Sequence, residues 1–270
     1  MDSLKKITDI SHYLKSKDIN IIEDFKDDNR ELDINIIEDF KDDNRELDNL
    51  SEELVIEQLR IISLFHKNTL GNKSYIRGGI KNKTGSIVEK YKLDLKKINK
   101  YIRSLKDKEI NNTDLEKLIL DYMPNYINRA EKVIENIYEN GYINLVWRSM
   151  DRKEICLGKT YFNNIRYNKG IEVIDINKCS YNMVEMDCIE LLYKVNKKNS
   201  SVDIERLCKI FCEFESLNDE SYKFILYMLS YPYSLIKCCT KYMKEKDSDK
   251  EKHYMDRFNK AMKLDSNSFV

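Results

Sequence analysis

The sequence has very few of the residues that interrupt helices: seven glycines and two prolines among 270 residues. This scarcity argues against a fold of many short strands and favours helices. No run of 18 apolar residues occurs and the N-terminus has no apolar signal segment, so the sequence predicts a protein that is made and kept in the cytosol. An apolar content of 41% is enough to supply a core for one large domain or two small ones.

Neither sign of charge is in excess, since 47 basic residues balance 47 acidic ones. This balance gives no indication of nucleic acid or an anionic membrane as a partner, and neither is expected. The seven cysteines form no CxxC pair, and the chain has only three histidines. We therefore interpret the cysteines as small buried side chains in a reducing compartment and expect no zinc site.

A fifteen-residue duplication occupies the N-terminal region. Asp18–Leu32 reads DINIIEDFKDDNREL, and Asp33–Leu47 repeats the same letters, with six acids against two bases in each copy. In one continuous helix, fifteen residues would turn the apolar face of the second copy by about 60° from that of the first. We expect at least one copy to be peripheral, as an exposed helix or a flexible acidic segment rather than a specific interaction site. Residues 1–50 are predicted to form an acidic segment, followed by one helical domain over residues 51–265.

Helical periodicity dominates the chain after Ser51. The predicted helices cover residues 51–66, 86–105, 113–123, 125–140, 186–195, 202–214, 221–229, 233–244 and 250–263. Thr113 and Glu116 form a capping box, Pro124 is expected to kink or restart the helix, and Gly141 to end it. The lysines of the 86–105 helix are interpreted as a solvated face. Residues 68–85 are rich in glycine but fit neither GxxxxGK[ST] nor GxGxxG, which predicts a surface loop.

The segment Glu154–Asn177, EICLGKTYFNNIRYNKGIEVIDIN, is the part of the sequence that best frames a chemical site. A short apolar strand at residues 155–157 leads into a polar loop that contains Lys159 and Asn164. A turn at residues 168–170 and a second apolar strand, residues 171–174, then deliver Asp175. The pattern predicts two hairpin-like strands that hold polar groups where the loop and the second strand end.

Three stretches in this order resemble the C-terminal lobe of aminoglycoside-phosphotransferase-like kinases, and most closely the CotS family of spore coat proteins. SLFHKNTLG (residues 63–71) is similar to a family helix that ends in FH, CLGKTYFNNI (156–165) to the catalytic loop HxDxxxxN, and VIDIN (173–177) to the metal-binding IDFD step. The Tyr231-Pro232 step before a tyrosine-rich helix adds to the resemblance, which covers residues 50–265. It implies a mainly α (α+β) fold: a helical kinase-like C-lobe with a small β-hairpin.

The resemblance also implies site residues. Asn164 and Asp175 match the positions that hold magnesium against the phosphates in such kinases, and they are the predicted vestigial metal ligands. Lys159 stands where the family has its catalytic Asp, and a charged ammonium cannot accept a proton. Leu157 replaces the motif histidine, and Asn177 replaces the second acid of the IDFD step. We expect Lys159 to pair with Asp175 and Asn164.

A kinase that grips ATP has a strand-rich N-terminal lobe with a glycine-rich cover. Fewer than about fifty residues precede the Ser51 helix, and no glycine occurs before Gly71. The N-terminal ATP-binding lobe is therefore predicted to be missing or vestigial.

Three functional readings follow. The first is a non-catalytic pseudokinase of the spore coat, without a cofactor, that binds other coat proteins or itself. The second is a phosphotransferase that uses Mg-ATP on a small hydroxylated substrate, with Lys159 on a phosphate and Asp175 on the metal. The third is a decayed gene product, against which the intact helical periodicity and caps argue.

Overall fold

A computed structural model describes residues 2–22, 50–71, 80–107, 112–245 and 251–269. In chain order the elements are α1 (Asp2–Lys15), β1 (Ile19–Ile21), α2 (Glu52–Thr69), β2 (Lys81–Asn82), α3 (Ser86–Lys106), α4 (Asp114–Glu139), α5 (Tyr142–Arg152), β3 (Ile155–Cys156), β4 (Ile165–Tyr167), β5 (Ile171–Val173), β6 (Ser180–Tyr181), α6 (Glu185–Lys198), α7 (Ile204–Glu215), α8 (Asp219–Ser230), α9 (Tyr233–Glu245) and α10 (Glu251–Leu264). Among the described helices, none is both long and apolar enough to cross a membrane. The predominance of helix with small sheets agrees with the predicted α+β class.

The chain divides into two compact units. The first combines Met1–Thr84 with Ile143–Ile225, and the second combines Gly85–Tyr142 with Leu226–Val270. The predicted division at residue 50, between an acidic segment and a helical domain, stays a prediction. The first unit contains the whole Glu154–Asn177 segment and both sheets.

The start of the first repeat copy is part of the core of the first unit. β1 lies parallel to β5, with Ile19 opposite Ile171 and Ile21 opposite Val173. Both β1 isoleucines are buried, and they join one apolar cluster with Ile10 of α1. Residues 18–22 are therefore not peripheral, because their alternating isoleucines complete a sheet, and the expectation that at least one copy is peripheral stays a prediction for the second copy. The rest of this copy and the second copy lie outside the described residues.

The predicted pairing of the two strands around the site is wrong. β5 forms its hairpin with β4, with Ile165 opposite Val173, and the turn between them is closed by the Asn168 N–H donating to the Gly170 carbonyl at 2.8 Å. β3 belongs to a second sheet, in the order β2-β6-β3, where it runs antiparallel to β6. The loop between β3 and β4 therefore connects two sheets. This loop, residues 157–164, carries the candidate site and is called the site loop below.

The predicted helices are confirmed within a few residues at each end. Thr113 and Glu116 make both hydrogen bonds of the capping box, at 3.3 and 3.2 Å. Pro124 does not restart the helix, because α4 runs without a break from Asp114 to Glu139. The proline lies on an exposed part of α4, where water can solvate the carbonyl that loses its backbone donor. Residues 72–79 of the predicted glycine-rich loop lie outside the described part of the chain.

The second unit has a core of aromatic residues and helix contacts. Tyr91 of α3 stacks face to face on Tyr231, with ring centroids 3.7 Å apart. Tyr101 donates to Glu116 at 2.9 Å, which ties α3 to the first turn of α4. The rings thus pack helices against one another, as their helical spacing predicts, and do not indicate a platform for stacking bases.

Candidate functional site

The structure brings the three predicted site residues together. The ammonium group of Lys159 donates a hydrogen bond to Asp175 Oδ2, which confirms the expected pairing of these two side chains. Asn164 makes no such contact with the Lys159 side chain; its Nδ2 donates to the Lys159 carbonyl at 2.8 Å. One ion pair and one amide therefore join the site loop to the end of β5.

The Asn164 amide acts as a clamp between the two segments. Besides the Lys159 carbonyl, its Nδ2 reaches the Asp175 carbonyl at 3.1 Å, and its Oδ1 accepts from the Asp175 N–H at 2.7 Å. The residue is buried, so these bonds stabilise the loop without competition from water. Asn164 thus fixes the position of Asp175, whatever else it does.

The electrostatics of Asp175 favour its charged form. Partial burial works against ionisation, but the hydrogen bonds from Lys159 and from the Asn177 N–H, the latter at 2.8 Å, lower the pKa of the carboxyl below its ordinary value. The Lys159 side chain is 42% exposed and that of Asp175 18%, so the pair faces solvent on one side. Such a half-exposed pair contributes little to stability.

Asn164 and Asp175 offer the amide and carboxylate oxygens that a magnesium ion prefers as ligands. Asn164 Oδ1 accepts one hydrogen bond and keeps a second lone pair, and Asp175 Oδ1 accepts from Asn177. Asp175 Oδ2, however, already contacts a cation, the Lys159 ammonium. The residues fit a divalent cation only if Lys159 withdraws.

The start of the site loop is anchored by Asp187 of α6. Its two carboxylate oxygens accept from the Leu157 N–H at 2.6 Å and from the Gly158 N–H at 2.8 Å. The Leu157 side chain, at the position of the motif histidine, is fully buried in the apolar cluster. The loop is thus positioned through its backbone rather than through the side chain at position 157.

Asp187 in turn belongs to a buried ion-pair network with His66 of α2 and Glu215 of α7. His66 Nε2 lies 3.0 Å from Asp187 Oδ2, and Nδ1 lies 2.7 Å from Glu215 Oε1. Burial alone lowers the pKa of an imidazole, but the two carboxylates outweigh it and raise the pKa of His66 to about 10. His66 is therefore an imidazolium at neutral pH and links three helices to the site loop.

The raised pKa of His66 predicts a loss of stability in alkali. Because the folded pKa is about 10 and the ordinary value is 6.5, the stabilisation is complete below pH 6.5 and is lost as the pH rises toward 10. The difference in unfolding free energy between wild type and His66→Gln should shrink by about 1.4 kcal/mol per pH unit in this range. Urea unfolding at several pH values measures it. His12→Gln, at an exposed histidine, should give a curve parallel to wild type, and a constant difference for His66→Gln would contradict the assignment.

The far side of the site loop is held by Gln58 and Glu190. Gln58 of α2 donates from Nε2 to the Thr160 and Ile165 carbonyls at 2.7 and 3.2 Å. Glu190 of α6 accepts from the Thr160 N–H at 3.1 Å and from the Thr160 hydroxyl. The loop is therefore fixed at both ends by side chains from the flanking helices.

Gly158 is required by the conformation of the loop. Its φ is +73°, and a Cβ added there would lie 2.8 Å from the backbone oxygen of Lys178. We expect Gly158→Ala to lower the unfolding free energy by about 2 kcal/mol or more, since the clash adds to the strain of a left-handed conformation. Gly71→Ala is the matched control, because Gly71 has φ +87° but nothing within 4 Å of the added Cβ. Equal losses for the two variants would contradict the close approach of Lys178.

A second buried network lies behind β3. Arg148 of α5 donates to Glu154 at 3.1 and 3.2 Å and to Glu185 at 2.8 Å. Both carboxylates are fully buried, and burial raises the pKa of Glu154 although Arg148 opposes the shift. The arginine thereby connects the start of β3 to the start of α6, the helix that carries Asp187.

His66, Cys156 and Asp187 also lie close enough to share a metal ion, with ligand atoms within 4.8 Å of one another. Each is already satisfied within the chain: the imidazole pairs with two carboxylates, and the Cys156 thiol donates to the Met183 carbonyl at 3.0 Å. Burial raises the pKa of the Cys156 thiol well above its ordinary value, which disfavours the thiolate a metal needs. We assign His66 and Asp187 to the ion-pair network, and Cys156 to its hydrogen bond with Met183, rather than to a metal site.

Comparison with known proteins shows the fold. No protein-family model matches the chain, and no curated protein matches it. Among solved structures the chain is similar to the aminoglycoside phosphotransferase from Alicyclobacillus acidocaldarius subsp. acidocaldarius DSM 446, with a TM-score of 0.60 and 12% identity over 78% of this chain and 63% of that one. At this identity the likeness shows a kinase-like fold and nothing more. The chain spans 63% of the length of that enzyme.

Proposed function

We propose that this chain is a non-catalytic protein with a kinase-like fold, whose role is structural and depends on interaction with other proteins. One observation carries the proposal: the ammonium group of Lys159 contacts the carboxylate of Asp175, the residue that matches the metal-holding position of such kinases. The side chain that replaces the proton acceptor thus also occupies the cation position. Loss of the general base alone would lower the rate of phosphoryl transfer by about 10²- to 10⁴-fold. Loss of the metal ion as well would remove the contacts that the metal makes with the phosphates.

The side chains that hold the site loop support a role in which the folded protein binds partners and does not catalyse a reaction. Asn164, Asp187 and His66 are all engaged in holding the site loop, so the loop is fixed although the Lys159–Asp175 pair faces solvent on one side. The family resemblance of the three sequence stretches directs the proposal to the spore coat, with coat proteins or a second copy of the chain as partners. Recovery of the chain in the coat fraction of spores tests that location, and its absence from spores would contradict it.

Calorimetric titration of the full chain with Mg-ATP tests the non-catalytic role. We expect no binding at micromolar nucleotide and no phosphate transfer to a panel of small hydroxylated compounds. Asp175→Ala is the matched variant. It removes the carboxylate but keeps the bonds from the Asn164 amide to the backbone of residue 175. Micromolar binding or turnover that disappears in Asp175→Ala would contradict the proposal and favour a phosphotransferase that acts with Lys159 on a phosphate.

A further inference from the structure

A groove of about 930 Å³ runs between α3 and α4 in the second unit. Its floor includes the apolar residues Leu95 and Ile134. One rim is basic and the other acidic. The basic rail consists of Lys96, Lys100 and Arg103 on α3, and the acidic rail of Glu131, Glu135 and Glu139 on α4. All six side chains are exposed.

The two rails do not neutralise each other. In the described part of the chain, no ion pair within 4.0 Å joins a basic-rail residue to an acidic-rail residue, whereas Lys92 and Lys97 of α3 pair with acids of their own helix. Hydrogen bonds cross the groove from Asn99 to Glu131 at 3.3 Å and, at the Lys92 end, from Lys92 to the Tyr138 hydroxyl at 2.8 Å and from that hydroxyl to Glu89 at 2.6 Å. They fix the antiparallel register of the helices.

This register places opposite charges at matching heights. Because residues 92 and 99 lie opposite 138 and 131, Lys96 stands opposite Glu135 and Lys100 opposite Glu131. A two-fold axis that runs along the groove brings each rail of one copy over the other rail of a second copy at the same height. A two-fold axis across the groove would instead bring like charges together.

We propose that the groove between α3 and α4 is a self-association surface, in which two copies of this chain pack as an antiparallel four-helix arrangement. Lys96 then faces Glu135 of the second copy, and Lys100 faces Glu131 of the second copy. The same rotation forms each pair twice. The inference is independent of whether the Lys159 site binds a nucleotide.

A second copy fits this surface better than other partners do. A nucleic acid would be repelled by the acidic rail, and a uniformly acidic or basic protein would match one rail and be repelled by the other. The helices have 21 and 26 residues, or about 30 and 40 Å, which is long enough for a contact on the order of 800 Å² per copy. Since the floor residues are already largely buried, charge supplies much of the attraction and the association should weaken with salt.

Sedimentation velocity with charge-reversal variants tests the surface. Wild type should dimerise at micromolar concentration in about 0.05 M salt and dissociate at about 0.5 M. Lys96→Glu/Lys100→Glu places acids opposite Glu135 and Glu131 of the second copy, and Glu131→Lys/Glu135→Lys places bases opposite Lys100 and Lys96 of the second copy, so each variant alone should dissociate at least tenfold more readily. A mixture of the two variants should form a heterodimer with a dissociation constant within about threefold of wild type, because every facing pair is again opposite in charge.

Lys90→Glu/Lys97→Glu is the matched control, since it makes the same charge change on α3 but outside the groove and should leave the dimer intact. Circular dichroism verifies that each variant is folded, which is expected because all four substituted groove residues are exposed. A monomeric wild type at low salt would overturn the proposal. So would a dimer that both groove variants leave unchanged, or a mixture of folded variants that stays monomeric.

Discussion

Replacing Asp187 by asparagine is expected to lower the unfolding free energy by about 3–5 kcal/mol, because it removes one member of a buried charge network. The carboxylate accepts from two backbone N–H groups of the site loop and from His66 Nε2. An amide of the same shape offers one oxygen and one N–H₂ group, so at least one of these donors faces another donor. His66 also keeps only Glu215 as a partner for its buried charge.

Urea denaturation measures the loss, and hydrogen exchange of the Leu157 and Gly158 amides should accelerate in the same variant. Glu190→Gln is the matched control. Glu190 also accepts from a site-loop N–H, but its side chain is 26% exposed, so a loss of about 1 kcal/mol or less is expected. A loss in Asp187→Asn no larger than in this control would contradict the anchoring role.

Replacing Arg148 by methionine is the other large effect that we expect, again about 3–5 kcal/mol. The substitution keeps an apolar stem of similar length but leaves Glu154 and Glu185 fully buried without their main positive partner. The pKa of Glu154, already raised by burial, should rise further. The loss should therefore diminish in acid, where the variant can protonate Glu154.

Arg152→Met provides the control within the same network. Arg152 contacts Glu154 at 3.3 Å, but it is 37% exposed and Glu154 keeps its two bonds to Arg148. The expected loss is 1 kcal/mol or less. Urea denaturation at pH 5 and pH 7 distinguishes the two variants. Equal losses, or a loss in Arg148→Met that does not depend on pH, would contradict the assignment of Arg148 as the main partner.

Much of the helical architecture could be predicted from the sequence, because apolar periodicity and capping residues act locally. Ser51 and Thr113 cap α2 and α4 as their side chains predict. Pro124 does not divide α4 into two helices, because the cost of a proline depends on tertiary context: an exposed helix face can solvate the freed carbonyl, and packing on the opposite face maintains the helix. The residue type alone does not reveal which face it occupies.

The short strands were harder to predict because their pairing is non-local. β1 and β4 have three residues each, and β1 lies in an acid-rich repeat that suggests solvent exposure. Its partner β5 follows about 150 residues later in the chain, so no local sequence pattern predicts that the two strands pair. The alternation of Ile19 and Ile21 was the available signal, and the surrounding acids outweighed it.

The candidate site was predicted in part. Lys159, Asn164 and Asp175 lie together as the motif spacing indicates, since the loop and the end of β5 are close in sequence. Asp187 and Glu215, which hold the loop through direct bonds and through His66, were missed. Each is an acid on the apolar stripe of its helix, four residues before Leu191 and four after Phe211. A charged residue at such a position signals a buried partner, although the sequence does not say which one.

Binding of Mn²⁺, a paramagnetic substitute for magnesium, tests the central claim that the Lys159 ammonium takes the cation position at Asp175. Electron paramagnetic resonance should detect no bound Mn²⁺ in wild type, and Lys159→Met should bind it at least tenfold more tightly, a difference of about 1.4 kcal/mol or more. Asp175→Asn added to Lys159→Met should abolish that binding. Equal Mn²⁺ binding by wild type and Lys159→Met, or no binding by either, would contradict the claim.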